Sequence, residues 1–381
     1  MTKLQGRKRI LFYLPVVTPW WLERIIMPLI RKFAGPYEVH VMIPQLWRGT
    51  GLGTDQLPLA DEIEEVMWHV LCGIDEEAMR VDASREDALI DFARQIAPDI
   101  VLARSADMET PALFGGELRF IMEGGAPPFA PPSTMVSLTH RLFDYGLMPP
   151  MTGEVQKILD ATGRELWQLL KVQSDLPNRA EFLAAHGLPT ERHIIGLALE
   201  YEHEEMFFGR HHRFASNADM IAQVAARMPP GMVLAVSNHP LNTLYGDNSG
   251  IETVVEGLGN RAVLLANNPE NGGTTLALAA HADGMVIGNS KSWSICAALE
   301  KPWLRLSDFR TGEWAAAYRE PQEFFTDIAA GVAFRPDPAM ARRWFAYHYG
   351  EATINAADPE LCAETIVARF VGQHDQVKAA A

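Results

Sequence analysis

The chain has 381 residues, of which 48% are hydrophobic and 21% are charged, and its formal net charge is −15. This length suits two domains of ordinary size. The acidic balance argues against a nucleic-acid partner, because phosphate backbones require a basic surface. No apolar run approaches the roughly 20 residues that cross a bilayer. A single anionic ligand in a local pocket is still compatible with this composition.

The first apolar run, "RILFYLPVV", predicts a buried strand rather than a signal peptide, because no small-residue cleavage site follows it. The next pattern, "TPWWLERIIMPLIRKF", predicts a helix that either packs on its own sheet or rests on an anionic membrane surface. The three cysteines are far apart and form no ligand spacing, which is typical of reduced thiols. We expect a cytoplasmic protein, with peripheral contact to the inner membrane as the alternative.

Strands and helices then alternate. "YEVHVMIP", "DIVLARS" and "ELRFIMEGG" predict strands, and "ALIDFARQIA" predicts a helix. Continuous apolar strands spaced by helices indicate parallel sheets covered on both faces. The segment 154–189 is helical in pattern and lacks strand signals. We assign residues 1–189 to a first Rossmann-like domain and place the boundary near Thr190.

The strand and helix pattern restarts in residues 190–335. "HIIGLALEYE", "GMVLAVSNHP", "AVLLAN", "DGMVIGN" and "PWLRLS" predict its strands. Residues 336–381 predict helices that pack back across the cleft. The expected fold class is therefore α/β, with two facing Rossmann-like domains and a C-terminal helical segment. Ligands of open α/β sheets bind beyond the carboxyl ends of the strands, so the residues at those ends are the candidates.

The strand "DGMVIG" leads directly into Asn289, Ser290, Lys291 and Ser292, and a helical pattern follows. Backbone N–H groups at a helix start lack internal partners and carry partial positive charge. Two hydroxyls and an ammonium there would complete a phosphate site. The alternative is an ordinary helix cap.

The strand "MVLAVS" ends at Asn238, His239 and Pro240. Proline stops the sheet, so the histidine projects from the strand tip, where it would donate to a phosphate oxygen or act as a general acid. The alternative is one surface histidine among the chain's 12. Thr274, which opens the helical pattern "TTLALAAHA", is also predicted to bind the ligand.

Two groups of carboxylates also follow strands. Glu123 ends "LRFIME" and precedes two glycines, a position that suits a general base or nucleophile, or else a solvated turn residue. Glu200 and Glu204 belong to the run "EYEHEEMFFGRHH", where one carboxylate is expected to face the cleft. The spacing in this run matches no HExxH pair, so we predict no metal site.

Taken in order, these motifs resemble those of bacterial glycosyltransferases of the GT-B fold that build capsule and lipopolysaccharide. The most similar are the Kdo transferases and polysialyltransferases that use CMP-activated acidic sugars. Those families carry an acidic-acidic-glycine motif in the first domain. Their second domain carries a His-Pro motif and a serine motif before a helix that ends in Gly-Lys-Pro. The matching residues here are Glu123-Gly124, His239-Pro240, Asn289-Ser290 and Lys301-Pro302.

The resemblance covers most of the second domain and a short part of the first. It implies a metal-independent enzyme without a cofactor, whose first domain serves the acceptor and whose second domain binds a nucleotide sugar, with a CMP-linked sugar as the expected donor. The implied acceptor is a glycan or glycolipid of surface polysaccharide synthesis. Together with the strand-end positions, this predicts Glu123, His239, Glu200 and Glu204 as catalytic residues. The predicted donor-binding residues are Asn238, His239, Thr274, Asn289, Ser290, Lys291 and Ser292.

The chain departs from the family pattern at two positions. Met122 stands where the family often has a second acid, and Ile295 stands where related transferases often have a ribose-binding glutamate. Both departures favour an alternative, a non-catalytic transferase-like scaffold. Two other reactions of the same fold are also open, namely sugar-nucleotide epimerisation and CDP-glycerol phosphotransfer.

Overall fold

The computed structural model describes residues 6–173, 176–266 and 273–370 of the chain. The chain divides into two compact units. The first lies within Met1–Gly125, Pro131–Leu142 and His348–Ala381, and the second within Ala126–Ala130 and Phe143–Tyr347. Each unit contains one largely parallel sheet with helices, which confirms the expected α/β class with two Rossmann-like units.

The first unit contains a seven-stranded sheet in the order β13-β6-β5-β4-β1-β2-β3. Its strands are β1 (Arg9–Tyr13), β2 (Glu38–Pro44), β3 (Val66–Leu71), β4 (Ile100–Ala103), β5 (Glu117–Glu123), β6 (Met135–Thr139) and β13 (Thr353–Asn355). β6 is antiparallel to both of its neighbours, and the other pairs are parallel. Its helices are α1 (Pro19–Trp21), α2 (Met27–Phe33), α3 (Leu57–Asp61), α4 (Glu76–Val81), α5 (Asp87–Ile96), α6 (Glu109–Ala112) and α16 (Ala363–Phe370).

The second unit contains a six-stranded, wholly parallel sheet in the order β12-β11-β10-β7-β8-β9. Its strands are β7 (His193–Ala198), β8 (Met232–Ser237), β9 (Ala262–Leu264), β10 (Gly284–Ile287), β11 (Trp303–Arg305) and β12 (Ala317–Tyr318). Its helices are α7 (Gly153–Gln173), α8 (Arg179–Ala185), α9 (Asn217–Arg227), α10 (Pro240–Tyr245), α11 (Ser249–Leu258), α12 (Gly273–His281), α13 (Trp293–Ala298), α14 (Pro321–Ala330) and α15 (Pro338–Tyr347).

Short turns of other helical types complete the backbone. The turns Leu22–Ile26 and His348–Ala352 are π-helical. The 3₁₀ turns are Thr54–Gln56, Phe207–His211, Gly259–Arg261 and Glu313–Ala315. No helix within the described ranges is both long and apolar enough to cross a membrane.

The predicted boundary near Thr190 falls inside the second compact unit. The reason is the packing of α7, which lies along α15 of the same unit. Arg343 on α15 binds the carboxylate of Asp160 on α7 through two nitrogens, at 2.9 and 3.0 Å. Trp167 and Phe345 pack with ring centroids 5.4 Å apart. The helices α7 and α8, which precede β7 in sequence, therefore belong to the second unit.

Four strands had no prediction from the sequence, namely β3, β6, β12 and β13. Three of them lie at an edge of a sheet, and β12 and β13 have only two and three residues. Strands of two or three residues give no sequence pattern, and in β3 four of the six residues are partly or fully exposed. The segment after Tyr347 was expected to be helical, but it contains β13, which pairs with β6, as well as α16.

The Lys301-Pro302 motif closes α13 at the end of the sheet where β11 begins, opposite to the carboxyl ends of the strands. Glu300 precedes it in a left-handed conformation with φ of 53°. The N–H of Lys301 donates to the carbonyl of Cys296 at 2.9 Å, as in a helix-terminating Schellman turn. The Lys301 ammonium donates to the carbonyl of Ala282, and burial lowers its pKa. Glu300 therefore has the backbone conformation that the glycine of a Gly-Lys-Pro motif adopts readily.

We predict that Glu300→Gly raises the free energy of unfolding by about 1 kcal/mol, because a left-handed residue with a Cβ costs roughly 1–2 kcal/mol. The control is Glu256→Gly, an exposed position within α11. It is expected to lower stability by about 0.5–1 kcal/mol. Urea unfolding of both variants measures this. A destabilised Glu300→Gly would contradict the assignment of strain to this turn.

Candidate functional site

In the second unit, three predicted segments follow neighbouring strands. β10, β7 and β8 are adjacent and parallel, so their carboxyl ends lie at one edge of the sheet. Glu200 follows β7, Asn238 and His239 follow β8, and Asn289 follows β10. The structure therefore brings these predicted residues together at the edge where open α/β sheets bind ligands.

Glu200 lies at the centre of this edge and is only 8% exposed. Its Oε1 accepts the backbone N–H of Asn289, and its Oε2 lies against Nε2 of His212. Gly288 makes room for the carboxylate, because a Cβ at that position would collide with Oε1. His212 was not predicted as a site residue. A small cleft beside this pair is lined by Glu200, His212, Arg213, Phe214, Ser216, Asn217, Met220, Gly288 and Leu306.

Two buried asparagines hold the backbone of Glu200. Asn217, the first residue of α9, accepts the Glu200 N–H at 3.1 Å and donates to its carbonyl at 2.9 Å. Asn242 donates to the same carbonyl at 2.8 Å and to Oδ1 of Asn238 at 3.0 Å. We did not predict either residue. The available signal was that asparagines recur in "FASNADM" and "SNHPLN", directly after apolar strands or before helices.

Asn289 uses its backbone and side-chain polar groups within the protein. Its N–H donates to Glu200, and its side-chain amide donates to the carbonyl of His211 at 2.8 Å. Its Oδ1 accepts from Ser307, and its carbonyl accepts from the hydroxyl of Tyr145. These contacts make Asn289 a residue that builds the turn. A direct contact of Asn289 with a ligand stays a prediction.

The turn after Asn289 presents two hydroxyls and an ammonium. Ser290 Oγ accepts the N–H of Ser292 at 3.2 Å and donates to its hydroxyl at 3.0 Å. All three residues, Ser290, Lys291 and Ser292, are partly exposed. α13 begins at Trp293, and Ser292 makes no side-chain cap bond to it. Ser290 therefore stabilises the turn itself, and its contact with a phosphate stays a prediction.

α13 is short and buried along its whole length. Trp293 stacks on Tyr145 with ring centroids 5.4 Å apart, and it contacts Trp344 edge-on at 4.8 Å. Ile295, at the position of the family's ribose-binding glutamate, is 4% exposed. Aromatic packing therefore fixes the helix that follows the turn, and Ile295 contributes no polar group to a ligand.

His239 is the N-cap residue of α10. Its Nδ1 accepts the N–H of Leu241 at 3.2 Å, so in the neutral ring the hydrogen is on Nε2. Its own N–H donates to Oδ1 of Asn238 at 2.8 Å. The ring is partly exposed and lies 5.5 Å from the ring of Tyr201, centroid to centroid. The cap thus gives His239 a defined orientation and a hydrogen-bond donor at Nε2.

Asn238 is buried and engaged by its neighbours, since its amide donates to Oδ1 of Asn248 at 2.7 Å. Thr274 is the second residue of α12 and is partly exposed. Its neighbour Thr275, which we did not predict, lies 2.7 Å from the hydroxyl of Ser237 through Oγ1. This contact ties the first turn of α12 to the end of β8. Residues 267–272 lie outside the described residues.

The other carboxylates near Glu200 have different surroundings. Glu204 is exposed. Glu202 accepts the N–H of Asn217 at 2.9 Å, where a carboxylate is favoured by the helix dipole of α9. Within the described ranges, no three His, Cys, Asp or Glu side chains are grouped so that they could hold a metal ion.

In the first unit, Glu123 ends β5 and its side chain is 49% exposed. Its Oε1 lies 3.7 Å from Nη2 of Arg104, which follows β4. The Arg104 guanidinium is buried beneath the ring of Trp21 at 3.9 Å, and burial lowers its pKa to about 10 despite the opposing charge of Glu123. Gly124 is required by packing, since a Cβ would approach the N of Val136 to 2.9 Å. Glu123 is therefore an accessible carboxylate beside a buried cation. The sequence predicted Glu123 as a site residue but did not predict Arg104.

Comparisons with known proteins give structural likenesses only. No protein-family model matches this chain, and no curated protein matches its sequence. Among solved structures, the chain is similar to KpsC of Thermosulfurimonas dismutans, a beta Kdo 2,7 transferase, at 10% identity over 96% of this chain and 99% of that one, with a TM-score of 0.46. It is similar to the E. coli ADP-heptose lps heptosyltransferase II at 14% identity over 85% and 98%, with a TM-score of 0.30.

WaaG, a glycosyltransferase involved in lipopolysaccharide biosynthesis, is similar at 11% identity over 90% of this chain and 95% of that one, with a TM-score of 0.36. These neighbours are transferases of the kind that the sequence motifs resemble. At identities of 10–14% and TM-scores of 0.30–0.46, the likenesses assign no activity to this chain.

The cap made by His239 gives a prediction with a matched pair of variants. His239→Ala should lower the free energy of unfolding by about 0.5–2 kcal/mol, because the N–H of Leu241 loses its acceptor. His239→Asn should keep stability near that of the wild type, since asparagine is a favoured N-cap residue. Thermal or urea unfolding measures the difference. Equal destabilisation by both substitutions would show that the ring does not cap α10.

Proposed function

We propose that this protein is a glycosyltransferase that moves a sugar from a nucleotide donor to a glycan or glycolipid acceptor in surface polysaccharide synthesis. The observation that carries the proposal is the arrangement at the carboxyl edge of the second sheet. The His-Pro and serine motifs follow strands on either side of β7, and one buried hydrogen-bond network holds them. The order of the motifs along the chain supports the same reaction class.

We assign the donor phosphate to Ser290, Lys291, Ser292 and His239. Two hydroxyls and an ammonium on one turn, with a histidine N–H from the neighbouring segment, are donors suited to a phosphate. Donors that are fixed before the reaction stabilise charge on a leaving phosphate without reorganisation. The resemblance to Kdo transferases and polysialyltransferases makes a CMP-linked acidic sugar the donor that we propose first.

Glu123 is our candidate for the catalytic carboxylate. It is the accessible acid of the Glu-Gly motif, and the guanidinium of Arg104 lies 3.7 Å from its carboxylate. A general base or a nucleophile must be ionised to act. Glu204, which is exposed, is the second candidate.

One observation favours a second candidate, a transferase-like scaffold. Ile295 is buried where a ribose-binding glutamate is common, so that contact is missing from this chain. A scaffold would have the same fold but would not bind a nucleotide. The two candidates therefore differ in a property that can be measured without knowing the acceptor.

Calorimetric titration with CMP, CDP and UDP tests the proposal. We expect saturable binding, strongest for CMP, and weakening by roughly 10-fold or more in Ser290→Ala combined with Ser292→Ala, since a hydrogen bond to a charged group contributes about 1.5–3 kcal/mol. Thr326→Ala, which removes an exposed hydroxyl on α14, is the control and should bind like the wild type. Binding of none of the three nucleotides would contradict the proposal and favour the scaffold.

Substitution of Glu123 tests its catalytic role separately. With the nucleotide sugar of the base that binds best, Glu123→Gln should lower the rate of nucleotide release by about 100-fold or more. Nucleotide affinity should stay near that of the wild type, because Glu123 belongs to the first unit and the phosphate-binding residues to the second. Glu77→Gln, an exposed carboxylate on α4, is the control. Full activity of Glu123→Gln would make Glu123 a turn residue.

A further inference from the structure

We propose that Glu200 is a positioning residue, which holds the Asn289–Ser292 turn in the conformation that binds the donor phosphate and does not itself act as acid, base or nucleophile. The proposal rests on the function proposed above. It replaces the catalytic role that the sequence predicted for Glu200. Its basis is where the two carboxylate oxygens lie and what they contact.

Both oxygens of Glu200 face the protein interior. Oε1 accepts the Asn289 N–H in a buried hydrogen bond, and Oε2 lies in contact with Nε2 of His212. Oε2 has no access to solvent and accepts no hydrogen bond of good geometry, so it meets His212 only by contact. A catalytic carboxylate must reach the reacting atoms. Glu200 would reach them only by releasing the turn.

The backbone of Glu200 is fixed as firmly as its side chain. Asn217 bonds both its N–H and its carbonyl, and Asn242 bonds the same carbonyl. Asn242 also contacts Asn238, whose Oδ1 accepts the N–H of His239. One buried network therefore connects Glu200 to both segments that we assign to the phosphate. Movement of Glu200 would disturb the serine turn first, because the carboxylate bonds that turn directly.

The hydrogen bond from the Asn289 N–H requires an acceptor oxygen on a side chain as long as that of glutamate, and it does not require a charged acceptor. Glutamine keeps an oxygen at the same distance from the backbone, so it can accept the same N–H. Aspartate is one methylene shorter and cannot reach without movement of β7. Alanine removes the acceptor and leaves a buried N–H without a partner. Positioning and catalysis therefore predict opposite rankings of the variants.

The test combines CMP, CDP and UDP titration with kcat and KM for nucleotide release. For Glu200→Ala and Glu200→Asp we expect the nucleotide Kd to rise by about 10-fold or more, with a smaller change in kcat. For Glu200→Gln we expect a Kd within about threefold of the wild type and a kcat that is largely retained. Unfolding midpoints of all variants show that each is folded at the assay temperature.

Gly288→Ala is the second variant, needed because loss of the buried acceptor can also unfold the protein. Its Cβ would displace Oε1 while the carboxylate stays present. It should therefore raise Kd as Glu200→Ala does, and Thr326→Ala should leave binding as in the wild type. A large loss of kcat in Glu200→Gln with unchanged Kd would make Glu200 catalytic and overturn only the present proposal.

Two other results are also decisive. Wild-type affinity in Glu200→Ala and Gly288→Ala would show that the turn does not depend on this carboxylate, and would overturn the positioning role while the transferase function stands. Failure of the wild-type protein to bind any of the three nucleotides would overturn both proposals at once. The wild-type titration thus separates failure of the function from failure of the role of Glu200.

Discussion

The second unit depends on a buried carboxylate that accepts a backbone N–H from a neighbouring strand end. Glu200 follows β7 and Asn289 follows β10, and the bond between them lies out of solvent. Burying a charged group is costly unless it is hydrogen-bonded or paired. The residues around Glu200 meet that requirement, since Gly288 admits the carboxylate, His212 faces its second oxygen, and asparagines bond its backbone. Removal of any one of these partners would leave a buried polar group without its contact, and the free energy of unfolding would fall.

In the first unit, the buried charged group at a strand end is an arginine and the carboxylate beside it is exposed. Arg104 is the buried group there, and its partner Glu123 is half exposed. Arg104 Nη2 lies 3.7 Å from Oε1 of Glu123, whose side chain stays accessible at the edge of the sheet. The two units thus contain two glutamates at strand ends with opposite surroundings. One is held inside a hydrogen-bond network, and the other is accessible beside a cation. That contrast, and not the motif alone, separates a positioning residue from a candidate for chemistry.

The sequence was sufficient for the class of fold and for the strand ends that carry polar residues, because buried parallel strands are continuous apolar runs. It predicted Glu200, Asn238, His239 and Asn289 at one sheet edge, and the structure places them there. It did not predict Asn217, Asn242 or Arg104, and it did not single out His212 from the histidines near Glu200. Each of these acts through a contact between residues distant in sequence, such as Asn242 with Glu200. A single sequence shows that an asparagine follows a strand, but not which backbone group it meets.

Glu300 and Ile295 differ in different ways from the glycine and the glutamate of the motifs that this chain resembles. At Glu300 the required property is a left-handed backbone, which any residue can adopt at a cost, so the closing turn of α13 forms without glycine. At Ile295 the property associated with the family is a polar side chain, and a buried isoleucine cannot supply it at any cost. In the function proposed above, recognition of a ribose therefore uses groups other than the Ile295 side chain. Glu200 and Asn289 hold the backbone of the serine turn through a buried hydrogen bond that does not involve Ile295. In the function proposed above, phosphate binding therefore does not require a polar group at position 295.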